Sequence, residues 1–295
     1  MGKELAERFP VARQTFDEAD AALGEPFHHL LWEGPESDLN LTANTQPGVL
    51  AVSVAAWRVL TEMKQGLEPA FLAGHSLGEY SALVAAGSLA FGDAVRTVRQ
   101  RGLFMQTAVP VGVGAMAALM GIEPADMAAA CEEAAQGQVV VPANDNAPGQ
   151  VVIAGHAEAV QRAIAIAKTK GCKRAIPLPV SAPFHCALMA PAREHLTPVL
   201  AALPFSDPRW PVVANVDARP TVSGGDARQK LTAQVDAPVR WRETLLFFKD
   251  QGVDTLIEVG PGTVLCGLAK RVSKDWTMLN VENAESLGKT LAGLA

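Results

Sequence analysis

The sequence is short of several things, and each shortage removes a class of function. It has four cysteines in 295 residues (Cys131, Cys172, Cys186 and Cys266), far apart and without a C-x-x-C pair. That spacing points away from a disulfide framework or a zinc site and predicts free buried thiols in a reducing compartment. No apolar run is long enough to span a bilayer; the longest, Val49 to Leu60, is interrupted by Ser53 and Arg58. The opening stretch MGKELAERFPVARQTFDEADAALG is charged and amphipathic, unlike a signal peptide. Gly2 is followed by Ala6 where a myristoylation signal needs Ser or Thr. No block of Lys and Arg stands against the net charge of −6, so neither nucleic acid nor membrane is an expected partner. Internal repeats and low-complexity linkers are absent. A soluble cytoplasmic protein is expected, and no metal or redox cofactor is implied by any ligand spacing.

What is present is a core-forming composition, 49% hydrophobic and 19% charged, in a chain long enough for a large domain with a small one inserted. Residues 3 to 23 have helical spacing, which Pro10 divides into two helices. Gln46 to Leu60 reads as a buried helix. A short apolar segment, Ala70 to Ala73, precedes a serine motif, and Leu77 to Leu89 has helical spacing again. In the helix over 91–108, Phe91, Val95, Val98, Gly102 and Met105 share one face.

After Pro110 the character changes. Short strands are predicted at 114–121, 138–146, 150–155 and 174–180, with helices at 124–136 and 157–170. The order strand, helix, strand, strand, helix, strand is the split βαβ pattern of a ferredoxin-like unit. Then the larger pattern resumes, with helices at 186–202, around 226–234 and around 241–251, and strands at 211–215 and 254–259. The last strand runs into Gly260-Pro261-Gly262 and a further helix. The expected architecture is α/β: a mostly parallel sheet domain over 1–111 and 180–295, with a ferredoxin-like subdomain inserted at 112–179.

The serine motif is Gly74-His75-Ser76-Leu77-Gly78. In a chain with 25 glycines the bare G-x-S-x-G pattern carries little, so its flanks decide. AFLAG before it and LGEYSALVAAG after it supply the strand, sharp turn and helix of a nucleophile elbow, in which flanking glycines let backbone approach closely. The helix start also aims N–H groups at charge developing there. Ser76 is the candidate nucleophile; the bland alternative is a loop serine.

A serine hydroxyl needs a base within hydrogen-bond reach. Of six histidines, His75 adjoins Ser76 and its side chain should diverge. His28 and His29 read as solvated, His156 as a helix cap, and His195 as part of a polar helix face. His185 follows a strand and a PVSAPF loop and precedes a helix, where sites of such folds assemble. On the residues alone it is either the base or an ordinary loop histidine. The last histidine, His195, leaves 100 residues to come, unlike the late histidine of ordinary lipases and esterases. In a Ser76–His185 pair the histidine would be oriented by a backbone carbonyl in place of a carboxylate.

Several motifs in order now resemble one family along nearly the whole chain: AGHSLGEYSALVAAG, RGLFMQ (101–106), NDNAPGQVVIAGH (144–156), PVSAPFHCALM (179–189), Q-x-x-x-P-V-x-W from Gln234 to Trp241, and EVGPG (258–262). They resemble the malonyl-CoA:acyl carrier protein transacylases. The resemblance implies an α/β-hydrolase-like fold with a ferredoxin-like insertion. It implies that Ser76 takes the malonyl group as an ester and that His185 is the base in both half-reactions. Arg101 would hold the free carboxylate, which a guanidinium fork can bind bidentately. Periodicity does not choose Arg101, because Arg99 and Arg101 flank the apolar stripe alike. Gln234 would orient His185 through its main-chain carbonyl, and the N–H of Leu77 would be half of an oxyanion hole. Met105 would line the substrate site. Phe184 would disfavour an α-methyl branch, a discrimination of about 1–3 kcal/mol, or else be a core phenylalanine.

The resemblance also implies a buried first strand followed by Gly-Gln-Gly-Ser-Gln, whose glutamine N–H is the second oxyanion donor. Neither occurs here: Met1-Gly2-Lys3 aligns with the interior of the following helix, so the natural chain is expected to begin upstream. The partners implied are malonyl-CoA and a separate acyl carrier protein, with Lys170, Lys173 and Arg174 as candidate docking residues and a monomer expected. Two other readings remain: a serine hydrolase of acyl-CoA thioesters, and a catalytically impaired relative that binds carrier protein. Glu285-Ser286-Leu287 superficially resembles a phosphopantetheine attachment site but reads as structural, in a helical tail.

Overall fold

Pro10 decides how the chain begins. It has no N–H to continue a helix but suits a helix start, so one helix ends at Arg8 and a second runs Pro10–Leu23. The computed structural model describes residues 1–180 and 182–294; Ser181, inside the PVSAPFHCALM motif, lies outside them. The predicted buried helix spans Thr42–Met63, longer at both ends, and packs along the Phe91–Thr107 helix. Gly102 allows that approach: a Cβ there would stand 2.6 Å from Ala43 Cα and 2.7 Å from the Thr42 carbonyl oxygen. The face Phe91, Val95, Val98, Gly102 and Met105 is buried as its spacing predicts.

The large domain's sheet layer has two hydrogen-bonded pieces. Strand β1 (Leu72–Ala73) pairs parallel with β6 (Val212–Val213), and β6 pairs antiparallel with β7 (Pro220–Thr221). Strand β8 (Thr255–Val259) pairs parallel with β9 (Thr277–Val281). Alternate side chains share two clusters: Leu72, Val212, Ile257, Val259 and Val281 with the long helices, and Phe71, Ala73, Val213, Leu256 and Met278 with the Trp241–Asp250 and Val264–Val272 helices. Both pieces thus lie in one layer between two helical layers, the arrangement of an α/β-hydrolase-like domain. The sequence reading missed β7 and β9, and β6 is shorter than the predicted 211–215.

The insertion has strands β2 (Gly114–Met120), β3 (Val140–Ala147), β4 (Gln150–His156) and β5 (Arg174–Pro177) in the antiparallel order β3–β4–β2–β5. With helices Pro124–Ala135 and Ala157–Thr169 on one face, this is the ferredoxin-like arrangement. Ala117 and Leu119 face those helices, while Met116 and Ala118 face Phe184, Cys186 and Leu188 on the other side. The period-2 alternation of β2 therefore places the sheet against the loop carrying His185. Docking is also polar: Val239 N–H donates to the Ala143 carbonyl (2.8 Å), Asp145 N–H to the Val239 carbonyl (3.0 Å), and Arg242 Nε to Asp145 (2.9 Å).

Three local expectations need correcting. His28 is not solvated: its ring meets Asp20 and packs on Trp32. The His156 side chain does not cap its helix; its Nδ1 accepts from Val139 N–H at 2.9 Å, closing the strand end. Residues 186–189 are not part of the following α-helix, which spans Ala190–Ala201 after a 3₁₀ turn at Ala187–Met189. Ser286 caps the final helix, Ala284–Gly293, with Asn283, which accounts for its position structurally.

Candidate active site

The turn between β1 and the Gly78–Ala85 helix holds Ser76 at φ 53°, left-handed backbone for a residue with a Cβ. Gly74 makes the turn possible, because a Cβ there would lie 1.9 Å from the carbonyl carbon of Gly78. Gly78 itself faces open space. Of the two motif glycines, only the first is required by close approach. Asn215 braces the turn: its Oδ1 accepts from Ser76 N–H at 2.6 Å and its Nδ2 donates to the Gly74 carbonyl at 2.8 Å. Ser76 N–H is thereby occupied, whereas the N–H of Leu77 meets no acceptor among the described residues.

Ser76 Oγ and His185 Nε2 lie 2.7 Å apart. The other ring nitrogen, Nδ1, faces two carbonyl oxygens, Gln234 at 3.0 Å and Ala237 at 3.2 Å. Carbonyls only accept, so Nδ1 carries the proton and Nε2 presents a lone pair to the serine. No carboxylate contacts this ring among the described residues. His185 is buried, and burial lowers its pKa to about 3, with the Arg101 charge and His75 pushing the same way and the two carbonyls opposing. The ring is neutral at physiological pH. His75 diverges from Ser76 as expected, its Nε2 2.8 Å from Asn146 Oδ1 in the inserted subdomain.

The tie between Arg99 and Arg101 is broken by burial. Arg99 lies over the Phe27 ring, bonded to Asn44 and Glu25. Arg101 is 2% exposed and points inward. Its Nη1 donates to Gln46 Oε1 (2.7 Å), and its Nη2 donates to Gln234 Oε1 (3.0 Å) and Ser76 Oγ (3.1 Å). All three acceptors are neutral, and its Nε has no partner among the described residues. A buried guanidinium with no carboxylate bonded to it among the described residues is costly, and an incoming carboxylate would relieve it.

The structure thus brings Ser76, His185, Arg101, Gln234 and the Leu77 N–H together. Met105 stands one step back: it is buried in the main core, its Sδ 3.9 Å from Gln46 Nε2. Phe184 is half-buried beside His185 and packs on both the main core and the inserted sheet. Lys170, Lys173 and Arg174 are exposed, Lys170 within 3.8 Å of Glu133.

The sequence reading missed Gln46, Glu79 and Asn215. Glu79 is 2% exposed; its Oε2 accepts from Asn215 N–H (2.9 Å) and Gln234 Nε2 (2.8 Å). Burial raises its pKa to about 7, against the hydrogen bonds from Asn215 and Gln234 and the charge of Arg101. The one available signal was its place in Ser76-x-x-Glu79 at a helix start, which suggests a capping carboxylate; the side chain turns into the core instead. No group of three or more His, Cys, Asp or Glu among the described residues could hold a metal, and no helix among them is long and apolar enough to cross a membrane.

Comparison with known proteins shows the family. The acyl transferase domain family matches residues 1–293. Malonyl CoA-acyl carrier protein transacylase of Salmonella typhimurium is 51% identical over 288 residues, covering 98% of this chain and 93% of that protein. The Escherichia coli K12 protein of the same name is 54% identical over 269 residues, covering 91% and 87%. The crystal structure of an acyl carrier protein S-malonyltransferase from Vibrio cholerae superposes with a TM-score of 0.95 at 50% identity, covering 98% of this chain and 94% of that one. A malonyl-transacylase in complex with its type II PKS acyl-carrier protein superposes at 0.96 with 49% identity, covering 99% and 94%. With a family match over nearly its whole length and half its residues shared with such relatives, the chain belongs to the malonyl-CoA:acyl carrier protein transacylase family of acyl transferases.

Proposed function

We propose that this protein transfers malonyl from malonyl-CoA to the phosphopantetheine thiol of an acyl carrier protein, for fatty acid biosynthesis, through an ester on Ser76. The observation that carries the reading is the buried Arg101 guanidinium, served only by neutral acceptors and 3.1 Å from Ser76 Oγ. The free carboxylate of malonate is the anion that such a site lacks.

In the first half-reaction the Ser76 proton passes to His185 Nε2 while Oγ attacks the thioester carbonyl. The N–H of Leu77 donates to the oxyanion. The C–S bond breaks, and His185 returns the proton to the departing thiolate. In the second half-reaction His185 takes the proton of the carrier thiol, whose sulfur attacks the ester; Ser76 leaves and regains a proton. Gln234 keeps His185 in the required tautomer through its main-chain carbonyl, the task a carboxylate performs in Ser-His-Asp sites. Phe184 disfavours a branched acyl group, and Met105 supports Arg101 through Gln46. The cycle needs no cofactor. A monomer in the cytoplasm, folded as a catalytic domain (1–111 and 180–295) around an inserted subdomain (112–179), completes the reading.

Mass spectrometry after brief incubation with malonyl-CoA tests it. One malonyl unit on Ser76, absent in Ser76→Ala and passed to added holo-carrier protein, is expected. Free malonate as the main product in the presence of carrier would replace the transferase with a hydrolase. No adduct would leave only a binding protein.

A further inference from the structure

Gln234 touches four parts of the site at once. Its main-chain carbonyl meets His185 Nδ1 (3.0 Å), its Oε1 meets Arg101 Nη2 (3.0 Å), and its Nε2 meets the Ser76 carbonyl (2.9 Å) and Glu79 Oε2 (2.8 Å). A carboxamide can occupy the same space in two orientations, with oxygen and nitrogen exchanged. The exchanged form would set its NH₂ against the donors of Arg101 and its oxygen against two acceptors. The orientation is set from both ends: Arg101 faces the oxygen, while Nε2 faces the Ser76 carbonyl and Glu79, the only side chain within 3 Å of it among the described residues.

The same carboxylate oxygen accepts from the backbone N–H of Asn215, whose side chain braces Ser76. Glu79 sits on the elbow helix, one turn beyond Ser76. It touches neither the nucleophile's oxygen nor the base, and Arg101 makes no hydrogen bond to it. A buried carboxyl with no ion-pair partner among the described residues is retained here although it costs desolvation.

We infer that Glu79 is a positioning residue that locks the Gln234 carboxamide so that its oxygen holds Arg101 for the substrate carboxylate while its backbone holds His185. The inference rests on the transacylase reading and adds the group that couples carboxylate recognition to the dyad. What Glu79 must supply is a hydrogen-bond acceptor at a set distance. Glu79→Gln keeps that acceptor and that length. Glu79→Asp keeps the carboxylate but is one methylene too short to reach Gln234 Nε2. Glu79→Met keeps the volume and has no comparable acceptor.

The test compares two rates on the full chain, with melting temperatures as a check on folding. Malonyl loading from malonyl-CoA requires Arg101 and the dyad. Labelling of Ser76 by an uncharged phosphonofluoridate requires the dyad alone. Glu79→Gln is expected within about threefold of the parent in both. Glu79→Asp and Glu79→Met are expected to lose about a hundredfold in kcat/KM for malonyl-CoA, with KM raised, the scale of a misplaced binding group. Their labelling should fall by less than about fivefold. Equal losses in both rates would make Glu79 merely part of the elbow's packing and overturn the inference, as would a Glu79→Gln protein as impaired as Glu79→Asp. If Glu79→Met does not fold, Glu79→Asp alone decides. If the parent is labelled but takes no malonyl, the transacylase reading fails. A crystal structure of Glu79→Asp then judges Glu79 separately: an unmoved Gln234 carboxamide and Arg101 would overturn the inference, and a turned carboxamide would uphold it.

Discussion

Ser76 and His185 both have positive φ, 53° and 60°, and their side chains meet at 2.7 Å. Neither is glycine, so each holds a backbone that L-residues seldom adopt, a cost of order 1–3 kcal/mol apiece. The surroundings over-determine both: Asn215 holds the Ser76 N–H and the Gly74 carbonyl of the turn, and two carbonyls face the His185 ring. The strain lifts two side chains out of different loops towards one point.

His185 should act as a base over an unusually wide pH range. Its pKa is lowered from an ordinary 6.5 to about 3, so Nε2 stays unprotonated well into acid. Labelling of Ser76 by an uncharged phosphonofluoridate is expected to hold steady from about pH 8 to about pH 5. An acid limb centred near 6.5 would show a ring in an ordinary environment.

Arg101→Lys should distinguish charge from shape. A lysine keeps the charge but cannot hold Gln46 and Gln234 at once in a fork. Malonyl loading is expected to fall by about 10²-fold or more, the scale of a misplaced binding group. Steady-state kinetics with malonyl-CoA would show it, while the uncharged label still reaches Ser76. Full activity in the lysine variant would remove Arg101 from carboxylate recognition.

Phe184→Ala should relax selectivity. The ring stands beside His185 between the main core and the inserted sheet. Removing it is expected to raise the ratio of methylmalonyl to malonyl loading by about 10-fold or more. Competition between the two thioesters, read by mass spectrometry, measures the ratio; an unchanged ratio would leave Phe184 a packing residue.

Gly102→Ala should affect stability and substrate affinity together. The new Cβ would press on Ala43 at 2.6 Å and force apart the helices that carry Gln46 and Arg101. A loss of about 1–3 kcal/mol in denaturant unfolding is expected, with a raised KM for malonyl-CoA.

Glu79→Gln should change how stability responds to pH. Glu79 holds its proton up to about 7 when folded, against 4.5 ordinarily. Between those values the folded chain binds a proton that the unfolded chain has released, so this group's contribution is full below about 4.5 and lost as pH rises through about 7. The glutamine variant lacks that loss. Its melting temperature relative to the parent is expected to improve from about pH 5 to about pH 8, and a constant difference would contradict it.

The parts of the fold legible in the sequence were those with local punctuation. Pro10 marked a helix break, the order of short strands and helices after Pro110 marked the inserted unit, and the strand–turn–helix flanks marked Ser76. Strands β7 and β9 carried no such signal; β7 is two residues long, and β9 is half-buried along most of its length. In the site, helical periodicity treats Arg99 and Arg101 alike because both border the same apolar stripe. What separates them is the neighbouring helix, admitted closely by Gly102, with Asn44 waiting for one and Gln46 for the other. Gln46 and Asn215 are polar residues in apolar surroundings, and their purpose shows only once partners 55 and 139 positions away in sequence are brought beside them. Glu79 went unread because a carboxylate three residues into a helix start suits a solvent-facing cap as well as a buried contact, and only tertiary packing decides between them.

If Arg101 receives the substrate carboxylate as proposed, substrate supply would bear on the protein's durability. Any ligand that brings a carboxylate to that guanidinium binds the folded chain alone and stabilises it by RT ln(1 + [L]/Kd), about 2.7 kcal/mol at a hundredfold excess over Kd. A cell rich in the acyl donor would hold a sturdier population of this protein than a starved one. An arginine with the proposed role in substrate selection would then also make turnover of the protein itself responsive to how much substrate there is.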